Sequence, residues 1–226
     1  MSAHIIQPGD QVIMQLAAGV DNPPPVTFAV KVLQPEPPPV STLPWEDVTS
    51  TFPTNPTAQN PYQSPGRWAT RTPTGITVHH TGAGDAYALA RVCLAKAYTV
   101  NGVRRVGLPT TQYHVFVNLD GSALLCVPLH QAGWHDHAGY PSSNVSVGIA
   151  GYWHKARPPA ALIAGLARVC AQLMQTYSIA VARVVGHRDR ALPNGISTEC
   201  PGWYPAPVGS GWRDDFYTAL AGMRGA

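Results

Sequence analysis

The chain is short of charge, of cysteine and of long apolar runs, and each shortage removes a class of protein. Only 12% of its 226 residues are Asp, Glu, Lys or Arg, about half the usual share, so the surface must be made largely of Thr, Ser, Asn, Pro and Ala. Neither a Lys/Arg cluster nor a basic helix is present, which argues against nucleic-acid binding. No run of about 18 apolar residues occurs, so no membrane span is expected. The opening stretch MSAHIIQPGDQVIMQLAAGV lacks a basic n-region and a long apolar h-region, and so does not read as a secretory signal. The four cysteines are too few and too scattered for a disulfide scaffold. Cys93 and Cys170 fall in apolar helical stripes and read as small core residues. Cys200, in a polar loop, is the exception. There is no internal repeat.

What is present is a globular composition with 45% hydrophobic residues, 23 Pro and 21 Gly. The length exceeds one typical domain and falls short of two, which suggests one complete core plus an appendage. A net charge of +3 and a pI near 8.7 suit a mildly anionic partner, and equally an ordinary solubility charge.

Three parts follow along the chain. Residues 1–35 hold two strand-like stretches broken by Pro-Gly and DNPPP, a small β-like extension. Residues 36–70 are so rich in Pro, Thr, Ser and Asn that they read as a semi-extended linker wrapping the next domain. Residues 71–226 alternate strand and helix signals. GITVHH (75–80) reads as a buried strand, and residues 85–100 as a helix capped by Asp85 with Leu89, Val92, Cys93 and Ala97 on one face. Residues 110–129 form a hairpin through Asp120-Gly121, and 144–153 a further strand. Pro158-Pro159 open a helix carrying Leu162, Leu166, Val169, Leu173 and Tyr177 at helical spacing. VARVVGH (181–187) is another strand and 211–223 a closing helix. The fold class is α/β, a central mixed sheet flanked by helices.

This layout ends the first strand of the domain near His79 and the last near His187. If the two lie side by side, they deliver two imidazoles to one edge of the sheet, where α/β folds build sites. Cys200 returns on a loop thirteen residues later. Two imidazoles and a thiolate suit a tetrahedral Zn²⁺ with a fourth position left for water. With nine histidines in the chain, spacing alone does not decide between ligands and ordinary packed residues. Nor does it separate His79 from His80, which point to opposite faces of a strand.

Four stretches, ITVHHTGAG, QYHVFVNLDGSALLCVPLHQAGWH, NVSVGIAGYW and GHRDRALPNGISTECPG, in this order and at these separations, resemble the type 2 N-acetylmuramoyl-L-alanine amidases, which include phage endolysins and the peptidoglycan recognition proteins. The resemblance covers roughly residues 70–218. It implies a mixed sheet with a zinc ion at one end of a groove, held by His79, His187 and Cys200. Such a zinc activates water and polarises the carbonyl of the amide between N-acetylmuramic acid and L-alanine. Tyr113 matches a tyrosine placed beside the zinc, where it would orient the water or donate to the oxyanion. Thr198 stands where the family carries Lys or Thr to assist the carbonyl. Trp134 and His135 would line the peptide groove, Asn144 beside them would tie the loop down by hydrogen bonds, and Arg188 and Asp189 would be local supports, the carboxylate orienting a ligating histidine. Ala150 stands where many members carry a glutamate that acts as general base, and Glu199 is a substitute expected to turn away. The implied partner is bacterial peptidoglycan, and the implied protein a monomeric phage or prophage lysin held in the host cytoplasm before lysis. The alternative is a non-catalytic peptidoglycan-binding module. A peptidase of another zinc class lacks its H-E-x-x-H helix here.

Overall fold

The computed structural model describes residues 43–55, 71–100, 103–108, 110–133, 135 and 142–224. They belong to a single unit, Leu43–Ala226, and the strand-like stretches expected in residues 1–35 lie outside them. A six-stranded sheet forms from β1 (Glu46–Asp47), β2 (Gly75–His80), β5 (Val115–Val117), β6 (Ala123–Leu125), β7 (Asn144–Ile149) and β8 (Val184–Gly186), in the order β1-β6-β5-β7-β2-β8. Only β5 and β6 run antiparallel, and they are the hairpin closed through Asp120-Gly121. The other neighbours are parallel, so the sheet is mixed. Residues 43–55, within the Pro-rich stretch, pack on the domain with Trp45, Val48 and Phe52 buried.

The central strands are buried on both faces, but the two faces differ. Ile76, Val78, Val115, Val117, Val145, Val147 and Ile149 share one hydrophobic cluster with helix α2 (Ala160–Tyr177) and helix α4 (Arg213–Arg224). The alternate positions Thr77, His79, Asn144 and Ser146 face the other way, and all are buried. Strand period two therefore separates an apolar floor for the helices from a polar floor for a site.

Helix α1 (Ala86–Ala95) is capped by the Asp85 side chain, which accepts from the Ala88 N–H at 2.7 Å. It buries Ala86, Leu89, Ala90 and Cys93. The helix expected over 85–100 is thus too long, and Val92 is 65% exposed rather than on the packed face. Residues Ala97–Val100 (β3) instead pair antiparallel with Val103–Val106 (β4). Thr99 and Val100 are β-branched, and the Asn-Gly dipeptide at 101–102 is a hairpin signal that outweighs helical spacing.

Helix α2 approaches the hairpin turn so closely that a Cβ on Gly165 would strike the backbone of Gly121, whose own φ is +83°. Alanine at a helix interior normally gains about 1 kcal/mol over glycine, whereas overpacking against immovable backbone costs about 1–3 kcal/mol. Gly165→Ala should therefore destabilise the domain, seen as a lower urea midpoint with unchanged m-value. A rise in the midpoint would show that the turn yields.

Candidate metal centre

The pairing of β2 with β8 sets Val78 opposite Gly186, so the next residues, His79 and His187, emerge side by side with ring centroids 4.5 Å apart. His187 is not the last residue of a strand, as expected, but the first of the short helix α3 (His187–Ala191). The Asp189 carboxylate accepts from the Gly186 N–H at 2.9 Å and fixes the bend between strand and helix. It therefore supports His187 through the backbone.

Arg188 brings the third residue back. Its N–H donates to the Cys200 carbonyl at 2.9 Å, and its guanidinium donates to the Thr198 carbonyl at 2.7 Å. Cys200 Sγ then lies 3.8 Å from His79 Nδ1 and accepts the His80 N–H at 3.3 Å. One donor atom from each of His79, His187 and Cys200 falls within 4.8 Å of the others. His79 and Cys200 are buried and His187 is half-buried. Burial pushes the Cys200 thiol pKa up to about 12, against the pull of the His80 N–H. A buried thiol so placed needs a cation to become a thiolate, and two imidazoles with one sulfur are a donor set that suits a transition metal.

His80 leaves on the opposite face, its ring tilted against that of Tyr152 with centroids 4.4 Å apart, and burial pushes its pKa down to about 4. Period two thus gives His79 to the cluster and removes His80, the choice that spacing left open.

The Tyr113 ring sits 4.9 Å from the His79 ring. It fits because residue 148, opposite His79 in the ladder, is glycine; a Cβ there would lie 2.8–2.9 Å from the Tyr113 ring. Burial, with a smaller contribution from Cys200, pushes the phenol well above its ordinary range, so it stays a proton donor. Thr198 Oγ1 accepts the Cys200 N–H at 3.3 Å.

His135, expected to touch substrate, is placed elsewhere, and Asn144, expected to tie its loop by hydrogen bonds, makes them. His135 is buried, with Nδ1 3.1 Å from His79 Nε2 and Nε2 3.1 Å from the Asn144 carbonyl oxygen. Asn144 is also buried, and its amide donates to Thr77 Oγ1 at 2.9 Å. Both serve the floor of the site rather than an open groove. Trp134 lies outside the described residues.

Glu199 accepts from the Tyr152 hydroxyl at 3.0 Å and lies 2.9 Å from His154 Nδ1. Ala150 is buried, and its carbonyl accepts the Trp153 indole N–H at 2.6 Å. Sequence reasoning missed His114, which is fully buried, with Nδ1 2.6 Å from Ser146 Oγ and its ring 6.0 Å from that of His135. The signal was available: His114 precedes three buried strand residues.

The sequence profile of the family described as N-acetylmuramoyl-L-alanine amidase matches residues 69–203, more than half of the chain. No curated protein matches. Among solved structures, the endolysin N-acetylmuramoyl-L-alanine amidase LysCS from Clostridium intestinale URNW superposes with a TM-score of 0.52 at 18% identity, over 67% of this chain and 85% of that one. The Ph2119 endolysin from the Thermus scotoductus MAT2119 bacteriophage Ph2119 gives 0.51 at 18% identity, over 70% and 93% respectively. These likenesses establish a shared fold.

The Arg188 clamp is testable without any ligand. A charge-assisted hydrogen bond contributes about 1.5–3 kcal/mol, so Arg188→Met should speed amide exchange at Cys200 and Gly202 by about tenfold or more while leaving α2 protected. Unchanged exchange there would remove Arg188 from the geometry of the cluster.

Proposed function

The chain belongs to the N-acetylmuramoyl-L-alanine amidase family, and on that premise we propose that it is a zinc-dependent amidohydrolase of bacterial peptidoglycan, acting as a phage or prophage lysin on the amide between N-acetylmuramic acid and L-alanine. The observation that carries this reading is the convergence of His79, His187 and Cys200 within 4.8 Å.

These three residues would hold the metal: two neutral imidazoles and one thiolate, a set that leaves net positive charge at the site. When bound, zinc supplies a Lewis acid for the scissile carbonyl and makes water a nucleophile near neutral pH. The remaining work falls to the chain. Tyr113, held protonated by burial, donates a hydrogen bond to the oxygen on which negative charge develops. Such a contact is strongest in the transition state. Thr198 uses its oxygen to accept the Cys200 N–H and keeps its hydroxyl hydrogen for the same carbonyl. It adds no charge, so its share is smaller than that of Tyr113. No carboxylate stands at position 150, and Glu199 is engaged by Tyr152 and His154.

The absence of a carboxylate at Ala150 favours the second reading, a module that binds peptidoglycan without cutting it. Turnover separates the two. The purified chain should carry about one zinc per molecule and release stem peptides with new L-alanine amino ends from peptidoglycan. Cys200→Ser should lose both the metal and the products. New reducing sugar ends, or zinc binding with no cleavage, would contradict the amidase reading.

Tyr113→Phe should keep its zinc while kcat falls by about 10²–10³, the usual effect of removing an oxyanion donor. Full activity in this variant would take Tyr113 out of the mechanism.

A further inference from the structure

His135 and Asn144 together set which nitrogen of His79 carries a proton. A backbone carbonyl only accepts hydrogen bonds. At 3.1 Å from His135 Nε2, the Asn144 oxygen therefore requires the hydrogen of a neutral His135 to sit on Nε2. His135 Nδ1 is then a bare acceptor. It lies 3.1 Å from His79 Nε2, which must donate to it. The hydrogen of His79 is thereby placed on Nε2, and its Nδ1 lone pair faces Cys200 Sγ at 3.8 Å.

We infer that His135 is a positioning residue that presents His79 to a metal in the Nδ1-ligating tautomer, with the Asn144 carbonyl as the fixed origin of the chain. The inference rests on the metal-centre reading above. The surroundings are shaped for the task. Gly133 lets the strand-side segment pass close to both rings, because a Cβ there would lie 2.6 Å from His114 Cε1 and 2.7 Å from His135 Cδ2. His135 is 7% exposed and His79 1% exposed, so water does not compete for the link. In folds where a ligating histidine is oriented by a carboxylate, the orienting group carries charge. Here an imidazole, itself held by a backbone oxygen, does the orienting.

The test uses the full chain with ¹⁵N-labelled histidines. Metal-free wild type should show His79 as the Nε2–H tautomer by ¹⁵N chemical shift. His135→Phe keeps the ring volume but offers no acceptor. It should shift His79 toward Nδ1–H and weaken zinc binding by about 10–100-fold. His135→Asn puts a side-chain oxygen near the place of Nδ1 and should recover most of that loss. A His79 that is Nδ1–H in metal-free wild type overturns the proposal, as does zinc affinity equal in all three proteins or lost equally in both variants. Failure of wild type to bind zinc would overturn the metal reading instead, while the tautomer result would still decide whether His135 positions His79.

Discussion

The parallel pairing of β2 with β8 is the contact on which the rest of the site depends. It matches Val78 with Gly186, and one step further along each chain stand His79 and His187. Because strand residues alternate faces, a slip of one position would exchange His79 for His80 and point the wrong imidazole at the cluster. The register is held from below by Ile76, Val78 and Val184 in the main hydrophobic cluster. The same apolar contacts that stabilise the sheet thus also select the histidine that reaches the site.

The opposite face of the same strands carries the polar groups. Thr77, His79, Asn144, Ser146 and His114 are all buried there, and each of them left without a partner would cost about 1–3 kcal/mol. The structure links them in two runs. One passes from Thr77, which accepts from the Asn144 amide, through the Asn144 carbonyl and His135 to His79, and the other joins His114 to Ser146 and the Gln131 carbonyl. Buried polar groups connected in this way hold side chains in one orientation, which is what a preformed metal centre and an oxyanion donor both need.

Much of this was legible in the sequence, for identifiable reasons. The hairpin at Asp120-Gly121, the α2 stripe from Leu162 to Leu173 and the strand GITVHH follow local rules, and the α/β class follows from their alternation. The juxtaposition of His79 with His187 required only that β2 and β8 be neighbours. What was not legible depends on packing. Val92 sits at helical spacing from Leu89 yet faces outward, because the helix turns Ala86, Ala90 and Cys93 inward. His135 looks like a loop residue beside Trp134. Only the fold shows that its ring turns inward behind His79, so a residue read as a substrate contact belongs instead to the support of the cluster.

The proposed account joins the family membership to the donor cluster: a sheet edge and a returning loop, tied by Arg188, would offer two nitrogens and a sulfur to one metal ion beside a protonated tyrosine. The most direct measurement is the zinc K-edge X-ray absorption spectrum of the metal-loaded chain. The account predicts one sulfur at about 2.3 Å and two imidazole nitrogens at about 2.0–2.1 Å, with a light-atom ligand completing four. A shell with no sulfur, or with two, would contradict it.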